Sequence, residues 1–66
     1  METLGDTYPQ EQARCRELLA QYRAIGPNGF FGYAIISDLL QRADRAAIAQ
    51  DLPAMLRCYE EMKACE

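Results

Sequence analysis

The amino-acid sequence predicts an all-α fold, a compact bundle of three helices. Apolar residues recur with a period of about 3.6 in three segments, which is the pattern of amphipathic helices. Two breaks separate these segments: one is Gly26-Pro27-Asn28-Gly29, and the other is Asp51 followed by Pro53. A chain of 66 residues is long enough for one small domain with a single core.

The first helix is predicted over residues 8 to 25, and residues 1 to 7 are predicted to form a flexible tail. Thr7 and Gln10 fit a capping box, and Pro9 fits the first helical turn, where its missing N–H is not needed. The apolar residues of this segment fall on one face of a helix: Cys15, Leu18, Leu19, Tyr22 and Ile25. We expect this face to enter the core.

The second helix is predicted over residues 30 to 50. Gly26 suits the left-handed position that ends a helix, and Pro27 cannot continue one. Neither flank of the Asn28-Gly29 pair alternates with a period of two, so the pair does not predict a β-hairpin. The main apolar stripe consists of Ile36, Leu39, Leu40, Ala43 and Ala47, and it is widened by Phe31, Ile35 and Ile48.

The third helix is predicted over residues 52 to 64. Asp51 is a suitable N-cap residue, and Pro53 is tolerated in the first turn. The predicted core stripe consists of Leu52, Met55, Leu56, Tyr59 and Met62. Because the connection to the second helix is very short, the last two helices are expected to form an antiparallel αα-hairpin. Residues 8 to 66 are therefore expected to form a single helical domain.

Composition argues against most enzymatic chemistry. The chain has no histidine, which removes the commonest general base, the usual activator of a serine or cysteine nucleophile, and the commonest zinc ligand. Cys15, Cys58 and Cys65 form no C-x-x-C pair, so neither a disulfide framework nor a structural zinc site is predicted. We expect reduced thiols in a cytoplasmic protein that is not an enzyme, with no catalytic, cofactor-binding or metal-binding residue.

The charge pattern favours a protein partner or self-association. The net charge is −3, and residues 11 to 57 hold six arginines against five acidic residues without forming a basic stripe. Nucleic acid is therefore not expected as a direct ligand. No apolar run approaches the ~18 residues of a membrane span, and residues 1 to 9 lack the regions of a signal peptide, so no membrane association is expected.

The most distinctive stretch runs from Gly26 to Tyr33 and brings three aromatic residues within four positions. We predict an interaction surface with these aromatics at its centre and two arginines at its rim: Phe30, Phe31, Tyr33, Ile35, Arg16 and Arg23. The alternative is structural, with Phe31 and one neighbour closing the open end of the bundle. Three aromatics so close together cannot all point inward, because successive helical positions diverge by about 100°.

The segment from Ala43 to Met62 resembles part of a tetratricopeptide repeat. Small residues close one helix, an acidic turn follows, and Ala54 and Tyr59 stand at suitable positions of the next helix. The resemblance covers about a third of the chain and implies a helical hairpin. It does not imply a peptide-binding groove, because such a groove needs neighbouring repeats.

A broader set of residues is similar to short, uncharacterised proteins of Mu-like bacteriophages and prophages. The set comprises Leu19, Tyr22, Ile25-Gly26-Pro27, Phe31-Gly32, Arg42-Ala43-Asp44, Asp51, Met55-Leu56, Tyr59-Glu60 and Lys63. The resemblance covers residues 15 to 66 and implies a very small phage accessory protein. Such proteins include inhibitors and adaptors that bind a host protein complex, anti-CRISPR proteins among them. The resemblance assigns no functional residue.

Two hypotheses follow for the function. The first is a non-enzymatic protein–protein interaction module, a phage-encoded inhibitor or adaptor of a host protein complex in the cytoplasm. The second is a purely structural helical bundle that assembles with copies of itself and has no separate target. Neither hypothesis requires a cofactor. A bundle this small often gains stability by forming homo-oligomers.

Overall fold

The computed structural model describes residues 3 to 65. It contains three α-helices, α1 (Leu4–Ile25), α2 (Phe30–Ala49) and α3 (Leu52–Ala64), and a short 3-10 helix over Pro27–Gly29. This part of the chain has no β-strand. The prediction of an all-α three-helix bundle is confirmed, and the bundle is elongated, measuring 37 by 23 by 16 Å.

Helix α1 begins four residues earlier than the sequence predicts. Thr3 is the N-cap, and the carboxylate of Asp6 accepts hydrogen bonds from the Thr3 backbone N–H at 3.4 Å and from the Thr3 hydroxyl at 3.1 Å. Asp6 also lies near the positive end of the helix dipole, where a carboxylate is stabilising. Residues 4 to 7 are therefore helical and not part of a tail, and residues 1 and 2 lie outside the described residues.

A tight turn joins α1 to α2. Gly26 has φ = 89°, a left-handed conformation that favours glycine, and its N–H donates to the Arg23 carbonyl at 3.2 Å. The Gly29 N–H donates to the Gly26 carbonyl at 2.9 Å. The predicted break at residues 26 to 29 is confirmed, and the Asn28-Gly29 pair lies in the 3-10 helix.

Two glycines allow the start of α2 to approach the end of α1 closely. A Cβ atom added at Gly29 would lie 2.2 Å from the Tyr22 carbonyl oxygen, and one added at Gly32 would lie 2.8 Å from the Tyr22 ring. The Tyr22 ring therefore packs against the backbone of α2, at a distance that a larger residue would not permit. This contact accounts for Gly32, which otherwise lowers helix propensity.

Gln50 ends α2 in the left-handed conformation, with φ = 54°. Its N–H donates to the Ala47 carbonyl at 3.1 Å. The Asp51 N–H donates to the Ala46 carbonyl at 3.1 Å, and together these two bonds form a Schellman motif. The Asp51 carboxylate also accepts the Ala54 N–H at 3.3 Å and so caps α3, as the sequence predicts.

The hydrophobic core lies where α1 and α3 both pack against α2. Its buried members are Tyr8, Cys15, Ile36, Leu39, Leu40, Ala43, Cys58 and Met62. Half of them belong to α2, which is therefore the central helix. Half-buried residues pack around this cluster, including Leu4, Leu18, Leu19, Tyr22, Ala47, Met55 and Tyr59.

Tyr8, which the predicted core stripe omits, has the largest fully buried side chain. Its hydroxyl donates a hydrogen bond to the Ala43 carbonyl at 2.8 Å and so connects α1 to α2 inside the core. Burial raises the pKa of Tyr8 from 10.0 to about 12, and nearby Cys58 and Asp44 add to the rise. The neutral phenol is therefore the form that the fold stabilises.

Three predicted core residues lie at the surface instead: Ile25, Leu52 and Leu56. Helix α3 is rotated about its axis so that Cys58 joins the predicted Met62 in the core and the two leucines face outward. Cys58 belongs to the same cluster as Ala43, and small side chains on both helices permit close packing. Ile25 is exposed for a different reason, because it lies beyond the end of α3.

Polar side chains hold the helices together at the edges of the core. Asp44 of α2 accepts a hydrogen bond from Gln12 at 2.8 Å and pairs with Arg16 at 2.8 Å, both on α1. Arg42 of α2 pairs with Glu61 of α3 at 3.1 Å. Within residues 3 to 65, every buried side-chain nitrogen or oxygen has a hydrogen-bond partner.

Arg14 fixes the position of the C-terminal end of α3. Its Nη1 donates to the Cys65 carbonyl at 2.8 Å, and its Nη2 donates to the Met62 carbonyl. Its Nε pairs with Glu11 at 2.6 Å, and this hydrogen bond raises the pKa of Arg14. The last carbonyls of a helix lack intrahelical donors, so a guanidinium there is stabilising. Helix α3 therefore ends beside the middle of α1.

Tyr8→Phe is expected to lower the free energy of unfolding by about 1 kcal/mol, because the buried hydrogen bond to Ala43 is lost while the ring still fills its site. Tyr59→Phe is the matched control, since the Tyr59 hydroxyl has no hydrogen-bond partner within residues 3 to 65. Urea denaturation measures both variants. Equal losses would contradict the role of the Tyr8 hydroxyl.

The same variant tests the raised pKa. Because the folded-state pKa of about 12 lies above the ordinary value of 10.0, the unfolded chain releases the Tyr8 proton first as the pH rises. Tyr8 is therefore expected to leave stability unchanged below pH 10 and to reduce it between pH 10 and 12. Tyr8→Phe should show a smaller fall over this interval than the parent protein.

Gly29→Ala and Gly5→Ala are expected to change stability in opposite directions. At Gly29 the new Cβ would overlap the Tyr22 carbonyl, so the turn must open, at a cost of about 2 kcal/mol. At Gly5 the new Cβ meets only the Thr3 Oγ1 at 3.6 Å, and alanine gains up to about 1 kcal/mol over glycine in a helix. Thermal unfolding followed by circular dichroism measures both. An unchanged Gly29→Ala variant would contradict the close approach, and a destabilised Gly5→Ala variant would contradict the early start of α1.

Candidate functional site

The end of the α1–α2 hairpin differs in composition from the rest of the chain. Residues 18 to 37, called the tip below, contain one charged residue, Arg23, whereas the other 46 residues contain 16. The tip also holds four of the six aromatic residues: Tyr22, Phe30, Phe31 and Tyr33. Few charges and many aromatics are typical of the centre of a protein–protein interface.

The tip extends beyond α3. Helix α1 has 22 residues and α3 has 13, so their lengths are about 33 Å and about 20 Å. Arg14 holds the end of α3 beside the middle of α1. Within the described chain, the last ten residues of α1 and the facing part of α2 therefore have no third helix beside them.

The predicted interface residues are divided between two faces of the tip. Phe31 and Tyr33 are two positions apart on α2, so their side chains diverge by about 160° around the helix axis. Residues three or four positions apart lie on the same side of a helix, so Phe30 lies on the side of Tyr33, and Ile35 lies on the side of Phe31. The single surface predicted from the sequence is therefore two surfaces in the fold.

The first surface, called the Arg23 groove below, lies between α1 and α2 and consists of Arg16, Leu19, Ala20, Arg23, Phe30 and Tyr33. A hollow of about 300 Å³ is lined by Arg23, Phe30 and Tyr33. Another, of about 180 Å³, is lined by the same arginine and tyrosine together with Arg16, Leu19 and Ala20. Because Arg23 and Tyr33 line both hollows, the two adjoin. Phe30 is 61% exposed and forms an apolar wall.

The two arginines of this groove differ in what they bind. The Arg16 Nη2 lies 2.8 and 3.0 Å from the two carboxylate oxygens of Asp44, so its charge is engaged within the chain. Arg23 forms no ion pair with a carboxylate of residues 3 to 65. Of the two rim charges that the sequence predicts, Arg23 is thus the one available to an acidic partner.

The second surface continues the two stripes on which α3 packs. On α1, Arg14 binds the end of α3 and is followed at helical spacing by Leu18, Gln21 and Ile25. On α2, Arg42 binds Glu61 of α3 and is preceded at helical spacing by Asp38, Ile35 and Phe31. At one end of the bundle these two stripes therefore contact α3. At the other end, within the described residues, α3 does not reach them.

We call this second surface the open face and define it as Leu18, Gln21, Tyr22, Ile25, Phe31 and Ile35. Phe31 is 80% exposed, Ile25 is 59% exposed and Ile35 is 49% exposed. The four residues from α1 line a hollow of about 200 Å³. Tyr22 packs against Gly32 of α2 between the two stripes. The open face is thus an apolar surface on two closely packed helices.

A fourth hollow, of about 340 Å³, lies between α2 and α3 at the other end of the bundle. Three arginines and two acidic residues line it: Arg42, Arg45, Arg57, Asp51 and Glu61. Arg42 pairs with Glu61 at 3.1 Å and with Asp38 at 2.9 Å, and these hydrogen bonds raise its pKa. The charge of Arg42 is therefore neutralised within the chain, whereas Arg45 and Arg57 form no ion pair with a carboxylate of residues 3 to 65.

The cysteines favour a structural role over a reactive one. Cys15 and Cys58 are buried and Cys65 is half-buried, all three as free thiols. Burial raises the pKa of Cys15 and of Cys58, so both stay protonated at neutral pH and are weak nucleophiles. In residues 3 to 65, no three histidine, cysteine or acidic side chains lie close enough to hold a metal ion.

None of the helices described between residues 3 and 65 combines the length and the apolar character that a membrane crossing requires.

Sequence reasoning missed four members of the open face, all of them on α1: Leu18, Gln21, Tyr22 and Ile25. Leu18, Tyr22 and Ile25 have the spacing of a core stripe and were expected in the core, but Ile25 is exposed and the other two are half-buried. The signal that marks them is the nearly uncharged run from residue 18 to residue 37. A solvated helix pair of this length usually carries more charges, so the run indicates a surface that becomes covered.

The fold and its two faces define a small all-α protein with an uncharged, aromatic-rich end. Comparisons of the chain with protein-family models, with curated proteins and with solved structures found no match.

Cys65 is expected to react with iodoacetamide at least about 10-fold faster than Cys15 or Cys58, because burial shields those two thiols and disfavours their thiolates. Mass spectrometry of peptides from a labelling time course measures the three rates. In denaturant the three rates should become similar. Rapid labelling of Cys58 in the native protein would contradict the packing of α3.

Proposed function

We propose that this protein is a non-enzymatic protein–protein interaction module that binds its partner through the Arg23 groove. One observation carries the proposal: the groove joins exposed aromatic surface to Arg23, the sole charge of the tip, which forms no ion pair within residues 3 to 65. Tyrosine and arginine are over-represented among the residues that dominate binding energy. Binding without catalysis needs no cofactor.

The chemistry of the groove fits a protein segment that carries an apolar side chain next to a carboxylate. Phe30, Tyr33 and Leu19 offer apolar walls and a floor for the apolar side chain. The Arg23 guanidinium can bind the carboxylate with two parallel hydrogen bonds. Such a pair strengthens when the surrounding aromatic surface excludes water.

The proposed biological role is that of a phage-encoded inhibitor or adaptor, which occludes or bridges a surface of a host protein complex in the cytoplasm. Anti-CRISPR-like inhibition is one form of this role. The similarity of residues 15 to 66 to small proteins of Mu-like phages supports it. The size of the chain supports it too, since 66 residues provide a binding surface more readily than an enclosed substrate pocket.

Photo-crosslinking tests the proposal. A benzoylphenylalanine in place of Tyr33 is expected to capture a protein from the native host, whereas the same group in place of Tyr59 on α3 serves as the control. Binding of the purified captured protein is then measured by calorimetry. Phe30→Ala and Arg23→Ala should each weaken binding about 10-fold or more, and Arg45→Ala should change it less than about twofold.

Far-UV circular dichroism should be the same for Phe30→Ala, Arg23→Ala and Arg45→Ala, because these three side chains are exposed. If Phe30→Ala and Arg23→Ala bind the partner as tightly as Arg45→Ala does, the Arg23 groove is not the binding site.

The second candidate function is a structural bundle that assembles with itself and has no separate target. The observation that favours it is the open face, whose apolar side chains lie on a different side of the tip from the Arg23 groove. Under this alternative, Phe30→Ala and Arg23→Ala change neither assembly nor the recovery of any partner.

A further inference from the structure

We propose that the open face is the interface of a homodimer, in which a second copy of this chain packs its own open face against the first. The proposal does not depend on the Arg23 groove, because the two surfaces lie on different sides of α2. Four observations carry it: continuity with the packing of α3, self-complementary spacing, the distribution of charge, and the exposed apolar area.

The open face is continuous with the surface on which α3 packs, because the same two stripes of α1 and α2 form both. Where α3 is present, the stripes bind it through Arg14 and Arg42 and bury Cys58 and Met62. Beyond the end of α3 the same stripes carry Ile25, Phe31 and Ile35, and nothing within residues 3 to 65 covers these side chains. A two-helix layer of this kind completes a helical bundle when a second layer packs on it.

The spacing of the two stripes makes this layer complementary to itself. Beyond the end of α3, the α1 stripe continues through Leu18, Gln21 and Ile25, at intervals of three and four residues. The α2 stripe continues through Ile35 and Phe31, which are four residues apart. A copy related by a two-fold axis can therefore set each α1 stripe against the α2 stripe of its partner, which is the arrangement of an isologous interface.

The charge distribution favours a second copy of the chain on this face. The open face has no charged residue, so it offers nothing with which to select an oppositely charged partner. Since Arg23 contributes +1 to a net charge of −3, the residues outside the tip carry −4. Contact through the tips therefore keeps most of the like charge of the two copies outside the interface.

The exposed apolar area indicates the size of the dimer interface. From their exposed fractions, Phe31, Ile25 and Ile35 present on the order of 400 Å² of apolar surface on each copy. A standard interface buries about 800 Å² per partner, so we expect a small interface and a weak, reversible dimer. Because the interface is apolar, added salt should not weaken it.

The dimer leaves both Arg23 grooves exposed, since each lies on the other side of its tip. The assembly would therefore present two identical grooves related by the two-fold axis. A partner that is itself two-fold symmetric, or that repeats its binding segment, would gain avidity from this arrangement.

Sedimentation velocity over concentrations from about 1 µM to about 1 mM tests the proposal. The measured mass should rise from 7.5 kDa toward twice that value. Phe31→Ser should shift the dissociation constant upward by about 10-fold or more. Ile48→Ser is the matched control, because Ile48 is 84% exposed on the same helix but outside the tip, and it should leave the constant within about twofold.

Nuclear magnetic resonance locates the interface independently of any variant. On dilution, amide shifts should change in the open face and stay constant around Ile48. A mass of 7.5 kDa at the highest concentration would overturn the proposal, as would a dimer that Ile48→Ser weakens and Phe31→Ser does not. If the protein stays monomeric and Phe31→Ser abolishes its binding to a different protein, the open face is the binding site for that protein. This result would also overturn the dimer.

Discussion

The length of α3, and the point at which Arg14 holds its end, determine which parts of this protein are buried. Arg14 binds the last carbonyls of α3 beside the middle of α1, so a 13-residue helix covers only part of a hairpin built from helices of 22 and 20 residues. Where three helices meet, Tyr8, Cys58 and Met62 are fully packed. Where only two meet, apolar side chains face outward, and both candidate binding surfaces lie there.

The backbone of the tip is closely packed in spite of this exposure. Gly26 takes the positive φ that the turn requires, and Gly29 and Gly32 let the backbone of α2 lie against Tyr22. A surface that is already ordered loses little conformational entropy on binding, so more of its apolar area can contribute to affinity. The same packing separates the two faces, because it fixes the direction in which Phe31 and Tyr33 leave α2.

Much of the fold could be predicted because its breaks are local. Gly26-Pro27 ends α1 and Asp51 caps α3 through bonds to residues nearby in the chain, so α2 and α3 begin where the sequence predicts. The start of α1 was predicted incorrectly, because residues 3 to 6 and residues 7 to 10 both match the sequence pattern of a helix N-terminal capping box. The extra turn carries Leu4, which packs against the core, and a capping pattern does not include that long-range contact.

The sequence by itself determined three amphipathic helices, the positions of their breaks, and a nearly uncharged, aromatic-rich segment at one of those breaks. Only the tertiary structure decided that α3 turns Cys58 inward in place of Leu52 and Leu56, and that the predicted interface residues lie on two faces. The physical reason is that periodicity gives the direction of a side chain around its own helix. Burial depends also on whether a neighbouring helix extends far enough to cover that side chain, and here α3 does not reach the tip.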